Sequence, residues 1–359
     1  MESGSKYGHL SRLTKLQELF VICGGGYTID LRPVSWLQSL TAQSMSITGV
    51  ECATRLTELS ILYDQYNPDI CQNITALASL QTLALKSGDY HDVSLAGPTP
   101  NLTLLALSCR SVVLSSLSVT LRDLHLTLGS PHNYADISYL TNLKHLKITN
   151  SPFANISGYD SIDSLTNLVF LMIRSQQVTE PISLSNLQHL PYLRLTRIGV
   201  DARTIQCLTN LNYLDLLTAP FDLQCWESLA PLTRLTSLKV QPRTCYGVDC
   251  NTIAQLPLVV LEVEVAAQLE NYWCVVPKLT NLERLTVENL TADEDLLRLT
   301  ALNRLTSLTI NKKSPLVSTT NHLTDLSTLQ ELVINYIPCL TQVQLELKLT
   351  RLRRYTCYN

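Results

Sequence analysis

The chain has 359 residues, 45% of them apolar and 16% charged, with a formal net charge of −3. That balance gives no general pull toward nucleic acid or an anionic membrane, so no nucleic-acid or membrane partner is expected without a local basic patch. No run approaches the roughly 18 apolar residues a membrane span needs, and residues 1–8 are polar, unlike a secretory leader with its charged start and apolar run.

The eleven cysteines are scattered, with no Cys-x-x-Cys pair. Small buried thiols in a reducing compartment account for them best, which points to a cytoplasmic, intracellular protein. Sequons at Asn73, Asn101, Asn155 and Asn289 are no more than a chain this rich in Asn, Ser and Thr carries by chance, and they do not argue for secretion.

In chain order, a first apolar line occupies Leu10, Leu13, Leu16, Leu19 and Val21. A step of three suits a tight, turn-like approach, whereas a closing step of two sets alternate side chains on one face of a strand. Each such line should therefore enter a short strand at its end. The next stretch, CGGGYTIDLRPVSW, is the most irregular, and a poor copy follows at Leu37, Leu40, Met45 and Ile47. A distorted rung or bulging loop is expected there, with Gly24, Gly25 and Gly26 in a turn. Those glycines lack the Lys and Ser/Thr of a phosphate loop.

Order returns at Leu56, Leu59 and Ile61 and again from Ile74 to Leu85. Two copies ending at Leu107 and Leu126 keep their strands but lose approach residues, with Ser115 and Ser118 in place of aliphatics. Residues 137–217 then carry four clean lines, ISYLTNLKHLKI, IDSLTNLVFLMI, LSNLQHLPYLRL and IQCLTNLNYLDL, whose strands recur every 21 to 25 residues. The series continues through Leu238/Val240, Leu261/Val263, Leu285/Val287, Leu308/Ile310 and Leu332/Ile334, and ends at Leu349, Leu352, Tyr355 and Cys357. A unit copied in this way buries its apolar face only by stacking on its neighbours. One rung buries about five aliphatics at roughly 1.5–3 kcal/mol each. Ordering its backbone costs about 1–2 kcal/mol per residue, so no rung stands alone.

The LxxLxxLxL line resembles the leucine-rich repeat family, in the short class of about 22 residues found in internalin-like and phosphatase-regulator-like proteins. Members carry an Asn three residues beyond the last aliphatic of the strand. Here that slot holds Ser151, Gln176, Ile198 and Ala219, so the resemblance reaches the fold and no subfamily. It implies an α/β solenoid: a horseshoe of about 15–16 repeats with a parallel concave β-sheet and short 3₁₀ or irregular convex segments. One repeat domain is expected over 1–359, with irregular repeats at 10–61, regular ones at 62–334 and a charged repeat or cap at 335–359, where Lys348, Arg351, Arg353 and Arg354 discourage edge pairing.

In such strands the residues beside each inward aliphatic face the concave side. From the sixth to the tenth rung those slots include Asp123, His125, His145, Lys147, Phe170, Met172, Arg174, Tyr192, Arg194, Tyr213 and Asp215. Aromatic, Met and Arg side chains are the types enriched at protein-binding hot spots. His125, His145, Lys147, Phe170, Met172, Arg174, Tyr192, Arg194, Tyr213 and Asp215 are accordingly the candidate partner-binding residues. Against this, cross-strand aromatic pairs also stabilise a sheet with no ligand at all. Further on, Glu262, Glu264 and Glu288 make the same face acidic, with Arg284 beside them.

His125 and His145 fall on adjacent rungs without a third ligand, so no metal site is expected. Cys245 and Cys250 bracket a short loop, with Cys225 a rung earlier, and no matching pair completes a zinc set. No nucleophile–base order, carboxylate pair or nucleotide fingerprint stands out, and neither catalysis nor a cofactor is expected. The leading expectation is a non-catalytic module binding a protein on its concave face. A regulatory subunit of an enzyme such as a phosphatase, implied by the resemblance, comes second. An extracellular receptor or adhesin comes third.

Overall fold

The computed structural model describes residues 8–63, 71, 73–87, 92–95, 99–114, 120–129, 137–150, 159–217, 228–241, 251–263, 275–288, 293–311, 323, 325–335, 349 and 351–358. The chain forms two compact units, Met1–Thr179 and Glu180–Asn359.

In the first unit a parallel ladder follows sequence order through β1 (Glu18–Asp30), β2 (Ser39–Thr48), β3 (Glu58–Tyr63) and β4 (Thr82–Ser87). It skips β5 (Asp92–Ser94), takes β6 (Leu104–Cys109), skips β7 (Ser111–Val113), and continues through β8 (Asp123–Leu128), β9 (His145–Asn150) and β10 (Phe170–Ile182). In the second unit β11 (Tyr192–Val200), β12 (Tyr213–Leu216), β13 (Ser237–Val240), β14 (Val260–Val263), β15 (Arg284–Glu288), β16 (Ser307–Asn311), β17 (Glu331–Asn335) and β18 (Arg354–Tyr358) pair the same way. These strands coincide with the rungs read from the leucine spacing.

The register explains the spacing. Leu40, Leu59, Leu83, Leu105, Leu124, Leu146 and Leu171 stand opposite one another on successive strands, and each has 0% exposure. Leu193, Leu214, Leu238, Leu261, Leu285, Leu308 and Leu332 form the equivalent column in the second unit. The approach residues are set by consecutive tight turns, in which the Leu140 amide donates to the Ile137 carbonyl and the Leu143 amide to that of Leu140, both at 2.9 Å. Each turn advances three residues and returns an aliphatic to the core, which is why the approach has a period of three.

The irregular early stretch is a bulge. β1 and β2 pair from Glu18 to Ile22 and again from Tyr27, so that residues 23–26 stand against Ser44 alone. Ser44 takes φ 56 to absorb the mismatch, a left-handed conformation uncommon outside glycine. The three glycines thus lie inside a strand and not in a separate turn. Between successive ladder strands lie 3₁₀ turns such as Val50–Cys52, Ile74–Ala76 and Val276–Lys278, and short α-helices at Ala202–Cys207, Asn251–Ala254 and Asp293–Leu299. β5 and β7 form a separate two-stranded parallel sheet, which the spacing did not announce.

Ser115, Ser118, Ser151, Ala219, Cys225, Cys245, Cys250, Asn155, Asn289, Glu264 and Lys348 lie outside the described residues, as do the side chains of Gln176 and Glu288. Ile198 fills its Asn-type slot with a fully buried side chain. Of the basic residues near the last strand, Arg351 and Arg353 are exposed, and Arg354 pairs with Glu331 at 2.9 Å.

Candidate functional site

Alternation decides which side chains are presented. In β8 the pattern is half-exposed Asp123, buried Leu124, half-exposed His125, buried Leu126 and half-exposed Thr127, so the non-leucine positions carry the available chemistry. The candidate residues fall on both units, and each unit is described by itself.

In the first unit they form rows across β8, β9 and β10. One row runs Asp123, His145, Phe170; the next His125, Lys147, Met172; the third Thr127, Thr149, Arg174. The Asp123 carboxylate pairs with Nδ1 of His145, and the His145 ring meets Phe170 edge-on, centroids 6.2 Å apart at 66°. Thr127 and Thr149 share a hydroxyl hydrogen bond of 2.9 Å. Burial, reinforced by the Lys147 charge, lowers the His125 pKa below the usual imidazole value, so His125 presents a neutral ring at pH 7. Arg174 projects into solvent.

In the second unit Tyr192 pairs with Tyr213, and Arg194 with Asp215. The two tyrosine rings stack in parallel, centroids 4.2 Å apart at 3°. Asp215 lies beneath them with 1% exposure. Its Oδ2 accepts from the Tyr213 hydroxyl at 3.3 Å and lies 3.1 Å from Arg194 Nε, while its Oδ1 accepts from the Leu217 amide at 3.1 Å. The Arg194 contact is an ion pair without the alignment of a hydrogen bond. Burial raises the Asp215 pKa, with the Leu217 amide and Arg194 pulling against it. Burial and the neighbouring Asp215 charge raise that of Tyr213, whose phenol stays protonated. Asp215 therefore does not present itself on the surface as its slot suggested; it organises the two side chains above it.

Beyond Asp215 the same row continues with Lys239 and Glu262, which form an ion pair. The section read as acidic is thus neutralised at Glu262 by a lysine one strand away. A depression of about 540 Å³ opens here, lined by Tyr213, Thr236, Ser237, Lys239, Val259, Val260 and Arg284. Ser237, Lys239 and Val260 were not singled out in the sequence, although they occupy the same alternating slots. Their signal was bulk, two short side chains between long ones, not residue type. Among the described residues no group of three or more His, Cys, Asp or Glu side chains is placed to hold a metal ion. No described helix is long and apolar enough to cross a membrane.

No family model matches the sequence, and no curated protein matches it either. Solved structures do. A leucine-rich-repeat protein of Leptospira interrogans is similar over 98% of this chain and 93% of its own, with 18% identity and a TM-score of 0.68. An internalin from Listeria monocytogenes is similar over 96% and 87%, with 19% identity and a TM-score of 0.54. TLR13, solved in complex with ssRNA13, is similar over 95% of this chain but only 59% of its own, with 18% identity and a TM-score of 0.53. At these identities the likeness is one of fold. Together with the column of buried leucines and the parallel ladders, it shows that this chain has the leucine-rich-repeat fold.

Proposed function

We propose that the protein is a non-catalytic interaction module that engages a protein partner through the exposed face of its parallel ladders. The observation that carries this reading is that the exposed side chains are already held. Tyr192 is stacked on Tyr213, Arg194 is tied to Asp215, and His145 is fixed between Asp123 and Phe170. Ordering loose side chains costs affinity on association, and a face that is pre-ordered avoids that cost. These are also the residue types that dominate binding energy where they are buried by a partner.

One similar structure was solved in complex with ssRNA13. In this chain Arg194, Asp215, Lys239 and Glu262 alternate in sign along one row. An acid beside each base suits a polypeptide of mixed charge better than a polyphosphate. Among the described residues Cys52, Cys109 and Cys207 are free thiols, which supports a reducing, intracellular compartment.

Affinity capture from native cells tests the reading. Lys147→Ala, Phe170→Ala and Arg174→Ala are combined in one variant and Tyr192→Ala made in another. Arg194 is left in place because removing it would strand the buried Asp215 charge. Partner recovery is expected to fall severalfold in at least one variant. Equal recovery from both, each with an unchanged melting temperature, overturns the assignment of the face.

A further inference from the structure

Along the first row of exposed positions in the second unit the bulk changes abruptly, from Tyr213 to Ser237 and Val260 and then to Arg284. Short side chains between long ones create the depression of about 540 Å³. Strands lie about 4.8 Å apart, so Tyr213 and Arg284, on β12 and β15, stand roughly 14 Å from each other at the backbone. That width takes a short piece of chain, not a single clamped ring.

The two walls differ in chemistry. One face of the Tyr213 ring is covered by Tyr192; the other is turned toward β13 and the depression. At the far wall Arg284 is exposed, and among the described residues it makes no ion pair or side-chain hydrogen bond. Lys239 lines the depression too, but Glu262 neutralises it. The site therefore offers a braced aromatic face at one end and, among the described residues, an unpaired cation at the other.

We propose that this depression is a subsite for an extended peptide that presents an aromatic side chain two residues from a carboxylate, the ring lying on Tyr213 and the carboxylate on Arg284. The inference rests on the exposed face being a protein-binding surface and adds the chemistry of what is bound. The spacing follows from the geometry. A stacked ring sits about 4 Å from Tyr213, and a carboxylate about 3 Å from the guanidinium. Roughly 7 Å remains, the length of two residues of extended chain, and residues i and i+2 project to the same side. A single carboxylate needs only Arg284, whereas successive phosphates would run onto the Lys239–Glu262 pair of the adjoining row, which offers no net positive charge.

A displayed library of random hexapeptides, selected against the full chain, tests this. Ser237→Trp fills the depression, and Arg284→Glu reverses its charge. Both positions lie on the exposed face, and a thermal melt confirms that each variant is folded. Selection is expected to enrich peptides with an aromatic residue two places from Asp or Glu. A synthetic representative is expected to bind either variant about tenfold more weakly, and its Asn or Gln counterpart to lose as much on the wild type. Enriched peptides without that pattern, bound equally by Ser237→Trp, overturn the subsite while leaving the face a binding surface. If no peptide is selected while native partner capture still depends on Lys147, Phe170 and Arg174 or on Tyr192, the subsite alone is again overturned. Binding of a short oligouridine that Ser237→Trp abolishes overturns it in favour of nucleic acid.

Discussion

Asp215 is the buried carboxylate that ties together Tyr213 and Arg194 in the second unit. Its 1% exposure and three contacts mean that it acts on Tyr213 and Arg194 from beneath. Its position in the row was legible from the two-residue period, but its burial was not, because depth depends on how the long Tyr and Arg side chains fold over it. That burial has a consequence for pH. The folded-state pKa is raised, so between the ordinary carboxylate value and the raised one the native state binds more protons than the unfolded chain. The contribution of Asp215 to stability therefore declines as pH rises through that window, and the cost of the buried charge is fully present above it. Asp215→Asn removes the charge while keeping an oxygen for the Leu217 amide. The melting temperature of Asp215→Asn minus that of the wild type is expected to become more positive from about pH 4 to pH 7. A difference that stays flat across the range would mean that Asp215 is not destabilised by its burial.

At the scale of the elements, the leucine spacing located every strand of the two main ladders, because each aliphatic column needs a fixed period. It passed over what joins one rung to the next on the polar side. In the lines TNLVFL and TNLNYL the Asn side chain reaches back a full rung: Asn167 donates to the Thr141 carbonyl at 2.8 Å and Asn210 to that of Gln188 at 2.9 Å. Asn101 does the same to Ala78 at 2.8 Å, and Thr57, Thr103, Thr236 and Thr306 donate hydroxyls to carbonyls of the preceding rung. The slot three residues past the strand carries no Asn in the four clean lines, and Asn on the approach to the strand supplies a rung-to-rung bond instead. The recurring Thr-Asn-Leu was visible in the sequence, but its purpose was not, since hydrogen bonds across 19 to 26 residues follow only from the stacking. Asn210 also accepts from Arg234 at 2.8 Å. Asn210→Ala is expected to cost about 0.5–1.5 kcal/mol in a urea melt. No measurable loss would make this ladder decoration rather than structure.

For the whole molecule, stability in a stack is a sum over neighbours, so a rung is only as firm as what lies on either side of it. The division at residues 179 and 180 falls inside the most regular lines, and nothing in the spacing marks it, because identical leucine patterns build both units. What does vary along the ladder is coverage. β3 and β4 are flanked on both sides, and Leu59, Ile61 and Leu83 have no exposure. Among the described residues β1 pairs with β2 alone; its Leu19 and Val21 are only half-buried, and Phe20 and Ile22 are 68% and 58% exposed. Apolar burial is the main term holding a rung down, and β1 also carries the mismatch at residues 23–26. Local opening should therefore begin there, well below the free energy of global unfolding. In hydrogen exchange followed by mass spectrometry, peptides covering β1 are expected to exchange about tenfold or more faster than those covering β3 and β4. Equal protection would require some other contact to hold β1 in place, and Phe20 and Ile22, its two most exposed apolar side chains among the described ones, are where it would be sought.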